Sequence, residues 1–235
     1  MVERFFSIAQ MHNLHASNHA NSITLLSGPP SSGKTSLLFQ FAFNSALETN
    51  RKVVFICNRK KFETSPPFLS QGIDPSLEIF QRIQMKYVED AEEIKSYFAA
   101  FHLHDDYPVL VVVDNFAEFF NERACQERYN NARGRDLAMV RILALCQNAV
   151  IHAKTPCELL LSDTHHGDSP RLLYIYKRWV SSIYTIKGDG FRSFVLSKES
   201  YSAKAKAEKT SSAKYSIALQ YLELKCLCDD ANFQR

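Results

Sequence analysis

The chain reads as an α/β protein: a mainly parallel sheet flanked by helices, with an antiparallel extension at the C-terminal end. Three observations predict this. Short apolar runs alternate with segments of helical periodicity from residue 22 to residue 180. Beyond that point, β-like runs follow one another with no helix between them. Finally, the glycine-framed segment Gly28-Pro-Pro-Ser-Ser-Gly33-Lys34-Thr35 lies between a predicted strand and a predicted helix.

Composition agrees with one sizeable core. The 235 residues are 46% apolar, and 23% charged with 12% aromatic residues excludes a disordered chain. Seven glycines exclude the fibrous classes. The longest aliphatic run, Val109 to Val113, falls far short of the ~20 residues a membrane span needs. The opening Met1-Val-Glu-Arg-Phe-Phe carries an early acid and no long apolar stretch, so no secretory signal is expected. Six cysteines without framework spacing fit a reducing compartment. The expectation is a soluble intracellular protein with no membrane partner.

Taken in order, residues 1–21 are polar and aperiodic and read as an N-terminal extension. His12, His15 and His19 are spaced like metal ligands, but no cysteine or acid completes the set. Ser22 to Leu26 is a short buried strand. Ser31 to Glu48 places Leu37, Leu38, Phe41, Ala42 and Ala46 at helical spacing, and Lys52 to Cys57 is a second buried strand. After the Pro66-Pro67 loop, Ile83 to Tyr87 alternates as a third strand. Asp90 then caps a helix running to about His102. Asp105 to Pro108 breaks the chain before the Val109–Val113 strand. Asn121 to Gly134 is a basic, asparagine-rich connector, Asp136 to about Ala153 a long helix, Cys157 to Ser162 a strand, and Pro170 to Val180 a helix. Ser182–Ile186, Phe191–Leu196 and Tyr215–Leu224 are strands of the extension, and Lys204 to Lys214, with no apolar face, is a loop. One domain is expected over residues 22–228, with a tail at 229–235.

Gly28 to Thr35 matches the phosphate-binding loop pattern in full. Its glycines permit torsions that aim successive backbone N–H groups at one phosphate chain, and the following helix N-terminus adds a positive dipole end. Pro29, Pro30, Ser31 and Ser32 form the turn. Lys34 would neutralise the outer phosphate oxygens, and the Thr35 hydroxyl would ligate Mg²⁺. That ion also wants a carboxylate at the end of a buried strand, which Asp114 supplies after Val109–Val113. ATP and Mg²⁺ are therefore the expected cofactors. Asn115 follows where an AAA+ ATPase carries a glutamate, and no Leu-Ser-Gly-Gly signature occurs, which disfavours AAA+ and ABC-type ATPases.

On these residues the chain resembles the RecA superfamily. Gly28–Thr35 leads into Ser36-Leu-Leu-Phe-Gln-Phe-Ala42, Lys52–Cys57 takes the second core strand, and Ile83–Val88 with Glu89–Ile94 the next strand and helix. Val109–Asp114 and Glu158–Ser162 complete the order of a Rad51-paralogue core, so the resemblance covers most of residues 22–200. It is closer still to the ATPase-like partners of the SWIM zinc-finger recombination protein of Shu-type complexes, through Val53-Val-Phe-Ile-Cys-Asn-Arg59, Ile73-Asp-Pro75 and Lys177-Arg-Trp179. The resemblance implies a RecA-like P-loop NTPase core and a nuclear role in homologous recombination repair. It further implies support of recombinase filaments on single-stranded DNA alongside a SWIM-type zinc-finger protein and RecA-family recombinases or their paralogues. It also exposes departures. The glutamate that polarises the attacking water in competent recombinases is replaced by Arg59, and a guanidinium cannot act as general base near pH 7. Glu63 or Glu118 are the substitutes in reach. The polar residue that senses the terminal phosphate is Thr164 rather than glutamine. Firm binding with weak, DNA-stimulated hydrolysis is expected, and no catalytic residue is assigned.

The net charge of +3 is unevenly spread. From Arg171 to Lys214 ten basic residues stand against three acids, so the remainder is net acidic. That stretch is either a polyanion-binding face or a solvated one. The first DNA loop of the resemblance falls at Asn121–Arg135, with Arg123, Arg128, Arg133 and Arg135 to grip phosphates and Tyr129 to stack a base. Glu122 and Glu127 leave a plain connector as the other reading. The second loop, His165 to Arg171, is short; its His165-His166 pair reads as surface loop rather than metal site, and Arg171 is its cationic member. Phe6-Ser-Ile-Ala9 has the Phe-x-x-Ala form with which recombinases dock on a neighbour, a form that Phe39–Ala42 and Phe43–Ala46 share. Cys226 and Cys228 read as two strand positions, one of them buried, and Trp179 as helix packing. Three other function classes stay open: a small-molecule or nucleoside kinase with Arg128, Arg133 and Arg135 as a phosphate lid, a RecA-fold scaffold subunit of a tRNA-modifying complex, and a purely structural adaptor.

Overall fold

Strands buried at every residue are satisfied only between two covering layers, and Ile23–Gly28, Val53–Cys57 and Leu110–Val113 have that character. In the computed structural model, which describes residues 2–6, 22–121, 131–165, 173–199 and 211–229, they lie inside a nine-stranded sheet. The strands are β1 (Ile23–Gly28), β2 (Val53–Cys57), β3 (Ile83–Tyr87), β4 (Leu110–Val113), β5 (Glu158–Thr164), β6 (Ser182–Gly188), β7 (Ser193–Lys198), β8 (Ser211–Ala218) and β9 (Tyr221–Asp229). Their order is β3-β2-β4-β5-β1-β6-β7-β8-β9. Every pairing from β3 to β6 is parallel, and those from β6 to β9 are antiparallel. The α/β class, the mostly parallel sheet and the antiparallel C-terminal part are as the sequence predicts.

The two faces divide by strand alternation. Val54 and Ile56, Val111 and Val113, and Leu159 and Leu161 pack on one face with Ile94 and Phe98 of α3 (Ala91–Ala99) and Met139, Ile142 and Leu143 of the long helix Ala132–Ile151. Val53 and Phe55, Leu110 and Val112, and Leu160 pack on the other with Leu37, Leu38 and Phe41 of α1 (Lys34–Thr49). Each fully buried Leu, Val or Phe stabilises the fold by about 1.5–3 kcal/mol. Sequence capping signals operate as chemistry requires: Asp90 accepts a hydrogen bond from Glu93 N at 3.0 Å at the start of α3.

The N-terminal segment differs from its reading as an extension free to dock. Val2–Phe5 forms a 3-10 turn, and Phe5 and Phe6 are fully buried. Phe5 packs 4.9 Å from Phe41 and 5.3 Å from Tyr184, and Phe6 5.6 Å from Tyr215. Asn44 of α1 donates to Arg4 O at 2.9 Å and to Phe6 O, and Arg4 forms a two-pronged pair with Glu158 at 2.9 and 3.0 Å. Phe6 is thus a core residue and not an exposed docking anchor; Ser7 to Ala9 lie outside the described residues. Phe39, Phe41 and Phe43 are also in the core layer of α1.

Other boundaries shift for local reasons. A short helix, α2 (Arg59–Thr64), follows β2, capped by the Asn58 side chain. The long helix, α4 (Ala132–Ile151), begins four residues before Asp136 because Asn131 caps it, accepting from Gly134 N at 2.7 Å. Within Pro170–Val180 only one turn, α5 (Leu173–Tyr176), is helical among the described residues. The predicted single strand Tyr215–Leu224 is a hairpin: β8 turns into β9 through Leu219 and Gln220, both at positive φ. Ser211 to Lys214, predicted as loop, belongs to β8, its partners on β7 supplying the order that local composition does not. No helix among the described residues is long and apolar enough to cross a membrane.

Candidate functional site

The C-terminal ends of β1, β4 and β5 meet at one edge of the sheet, where open α/β sheets bind ligands. Gly28 ends β1 and Lys34 begins α1. Between them Ser31 (φ 58°) and Gly33 (φ 78°) take left-handed torsions. The positive φ of Gly33 favours glycine, and a Cβ there would displace the tip of the Ile217 side chain of β8. The Gly28–Thr35 turn is braced from outside: Tyr215 Oη of β8 donates to Ser32 O at 2.7 Å, and Ser32 Oγ to Pro29 O at 2.8 Å.

Lys34 is buried, with its ammonium donating to Gly28 O at 3.2 Å and Pro29 O at 2.8 Å. Burial pulls its pKa down to about 8 against the attraction of Asp114, Asp163 and Glu118, so it is still largely protonated at neutral pH. Thr35 Oγ1 donates to Asp114 Oδ2 at 2.8 Å and Ser162 Oγ to Asp114 Oδ1 at 2.7 Å. The serine is held in turn by Asn115 N at 2.7 Å. Burial raises the pKa of Asp114, which the two hydroxyl hydrogen bonds and Lys34 partly oppose. Asn115 Oδ1 accepts from Thr164 Oγ1 at 3.0 Å.

Lys34, Thr35, Asn115 and Thr164 line a cleft of about 990 Å³, a volume at the upper end of small-ligand pockets, and Asp114 lines an adjoining hollow of about 370 Å³ that shares Thr35 and Asn115. One wall of the cleft is Asp163, Thr164 and His165; the opposite wall is Arg192, Phe194 and Ile217 of the antiparallel part. His165 is buried, its Nδ1 2.7 Å from Ser27 Oγ, so it is not the surface-loop residue expected. His166 lies outside the described residues.

A magnesium-bound triphosphate fits this donor set. One buried carboxylate and one hydroxyl are hard oxygen donors, too few for an all-protein cage, and among the described residues no three His, Cys, Asp or Glu side chains cluster. Mg²⁺ is typically held by one or two carboxylates with substrate phosphates and water completing its shell. Lys34 and the turn supply positive groups for the phosphates.

The choice between Glu63 and Glu118 is decided by direction. Glu63 pairs with Arg59 at 3.3 Å, and the Arg59 guanidinium lies over the Tyr87 ring at 4.7 Å, away from the cleft. Glu118, on the 3-10 turn Phe116–Phe120, lines the cleft and is paired with Lys61 at 2.7 Å.

Two of the five DNA-binding candidates fall among the described residues. Arg133 and Arg135 project from the first turn of α4, Arg133 exposed. Arg123, Arg128 and Arg171 lie outside the described residues, as do Tyr129 and the three N-terminal histidines. Of the basic C-terminal stretch, Lys198 ends β7 and Lys214 pairs with Asp189 at 2.5 Å. Trp179 is half-buried against the core, as expected of a packing residue.

Three contributors were not read from the sequence: Ser162, the Lys61–Glu118 pair, and the β7–β8 wall. Ser162 alone left a signal, a hydroxyl ending an apolar strand. The wall is set by tertiary pairing with no local signature. No family model matches the chain, and no curated protein matches its sequence.

Proposed function

We propose that this chain is a RecA-like P-loop protein that binds ATP·Mg²⁺ and hydrolyses it weakly. The observation that carries the reading is the meeting of Lys34, Thr35 and Asp114 at the mouth of the Gly28–Thr35 turn, with Thr35 and Asp114 in direct hydrogen-bond contact. Lys34 and the backbone N–H groups of the turn hold the phosphate chain. Thr35 and Asp114 hold the ion, Ser162 fixing the carboxylate. When bound, magnesium supplies charge neutralisation at the phosphate oxygens. Glu118 is the carboxylate available to orient a water, and its ion pair with Lys61 holds it aside, consistent with slow turnover.

The wider role rests on the resemblance given above: a nuclear recombination mediator that acts on single-stranded DNA with a SWIM-type zinc-finger protein and RecA-family recombinases or their paralogues. Arg133 and Arg135, with Arg123, Arg128 and Arg171, are the residues for the strand. The test is steady-state hydrolysis of ATP with and without single-stranded DNA, together with affinity purification from nuclei. Weak turnover raised by DNA and co-purification of a SWIM-type protein are expected. Phosphoryl transfer to a metabolite, indifferent to DNA, would replace this reading with the kinase one, and preferential tRNA binding with the scaffold one.

A further inference from the structure

Cys226 and Cys228 stand two apart on β9, so both side chains leave the same face of the strand. Their sulfurs are 3.4 Å apart as thiols. Cys226 is exposed and Cys228 half-buried, so neither is the buried strand position that the sequence predicts. β9 ends the sheet order, its bridge from Leu222 to Ser70 lies at the other end of the strand, and the thiols are reached from solvent. Lys214 is directly opposite Cys226 in the ladder, and Ser212 opposite Cys228, placing the ammonium on the thiol face. Lys214 also pairs with Asp189 of the neighbouring turn.

Two outcomes are open to such a dithiol: oxidation or chelation. A disulfide needs the sulfurs to close to about 2.05 Å with Cα atoms within about 6.8 Å. Extended residues two apart stand at about 6.6 Å, near that limit, so oxidation demands a puckered strand. Chelation asks less. With metal–sulfur bonds of about 2.3 Å, two thiolates on one ion sit about 3.8 Å apart at a tetrahedral angle and about 4.6 Å apart when linear. Side-chain rotation alone opens the present pair to that range. Among the described residues no cluster of three or more such ligands forms, so the pair offers two soft ligands, a set that suits monovalent copper among the thiolate-preferring ions.

The geometry points to Cys226 and Cys228 as a two-coordinate site for copper(I), with Lys214 as the charge-balancing neighbour. Binding replaces two S–H bonds by two Cu–S bonds and releases two protons to solvent, with no change of oxidation state. The resulting dithiolate–copper(I) unit carries one negative charge, which the Lys214 ammonium offsets. The site is independent of the nucleotide reading, since its residues do not line the cleft.

The test is an anaerobic titration of the reduced full chain with copper(I) presented as its coloured bicinchoninate complex. One equivalent should pass to the protein with loss of colour. Cys226→Ser/Cys228→Ser should lose that equivalent while keeping the wild-type circular dichroism and melting curve. Lys214→Met should weaken it about tenfold. Uptake by the double serine variant equal to wild type would overturn the proposal. So would failure of the wild-type chain to withdraw copper, or recovery of a Cys226–Cys228 disulfide in place of the copper complex.

Discussion

The parallel and antiparallel parts of this sheet are built on different terms. In the parallel part β1, β2 and β4 are buried at every residue, each between α1 and the layer of α3 and α4. In the antiparallel part β7 buries only Leu196, and β9 leaves Tyr221, Lys225, Cys226 and Leu227 exposed. Two-sided burial makes the parallel strands stiff supports, and the candidate site hangs from their ends at Gly28, Asp114 and Ser162. One-sided burial leaves the extension free to present side chains, and it gives a wall to the cleft and an outward dithiol. The lesson is that chemistry needing fixed geometry sits on the doubly covered half, while the half-covered part adjusts and encloses.

Substitutions can break or sharpen that contrast. The largest loss is expected at the tie between the N-terminal turn and β5. Arg4→Met leaves the largely buried Glu158 without its cation and should cost about 3–5 kcal/mol at neutral pH. Burial already raises the Glu158 pKa, and Arg4 opposes that rise. A raised carboxyl pKa means the folded state keeps a proton that the unfolded state gives up, so stability falls as pH rises through the folded value. The deficit of the variant should therefore shrink toward pH 5 and grow toward pH 8 in urea melts. A deficit independent of pH would assign the effect to packing on Phe41, 4.3 Å from the guanidinium.

Next comes the parallel core itself: Leu161→Ala, fully buried on β5, should lose about 2–5 kcal/mol. Tyr215→Phe, at the junction of the two parts, removes the hydrogen bond to Ser32 O and should cost about 1–2 kcal/mol, read by thermal melts. Leu227→Ala on β9, 44% exposed, should change stability by no more than about 0.5 kcal/mol. Equal losses at Leu161 and Leu227 would abolish the contrast.

The same contrast explains what could be read in advance. Continuous apolar runs announce doubly covered strands, so β1, β2, β4 and β5 were legible within a residue or two, β3 by its alternation, and the turn at Gly28–Thr35 with Asp114 as a pattern. The β8–β9 hairpin was not, because Leu219 and Gln220 adopt positive φ without the glycine or asparagine that marks such turns. Phe5 and Phe6 gave no sign of their burial, since two aromatics in a polar segment have no period. Glu118 became distinguishable from Glu63 only once Lys61 and Arg59 were placed in space.

The most direct measurement is calorimetric titration of the folded chain with ATP and magnesium, beside Lys34→Ala checked for an unchanged fold. Saturable heat in the wild-type chain and none in the variant is predicted. No heat in the wild-type chain, or the same affinity in both, would contradict the assignment of the Gly28–Thr35 turn as a phosphate site.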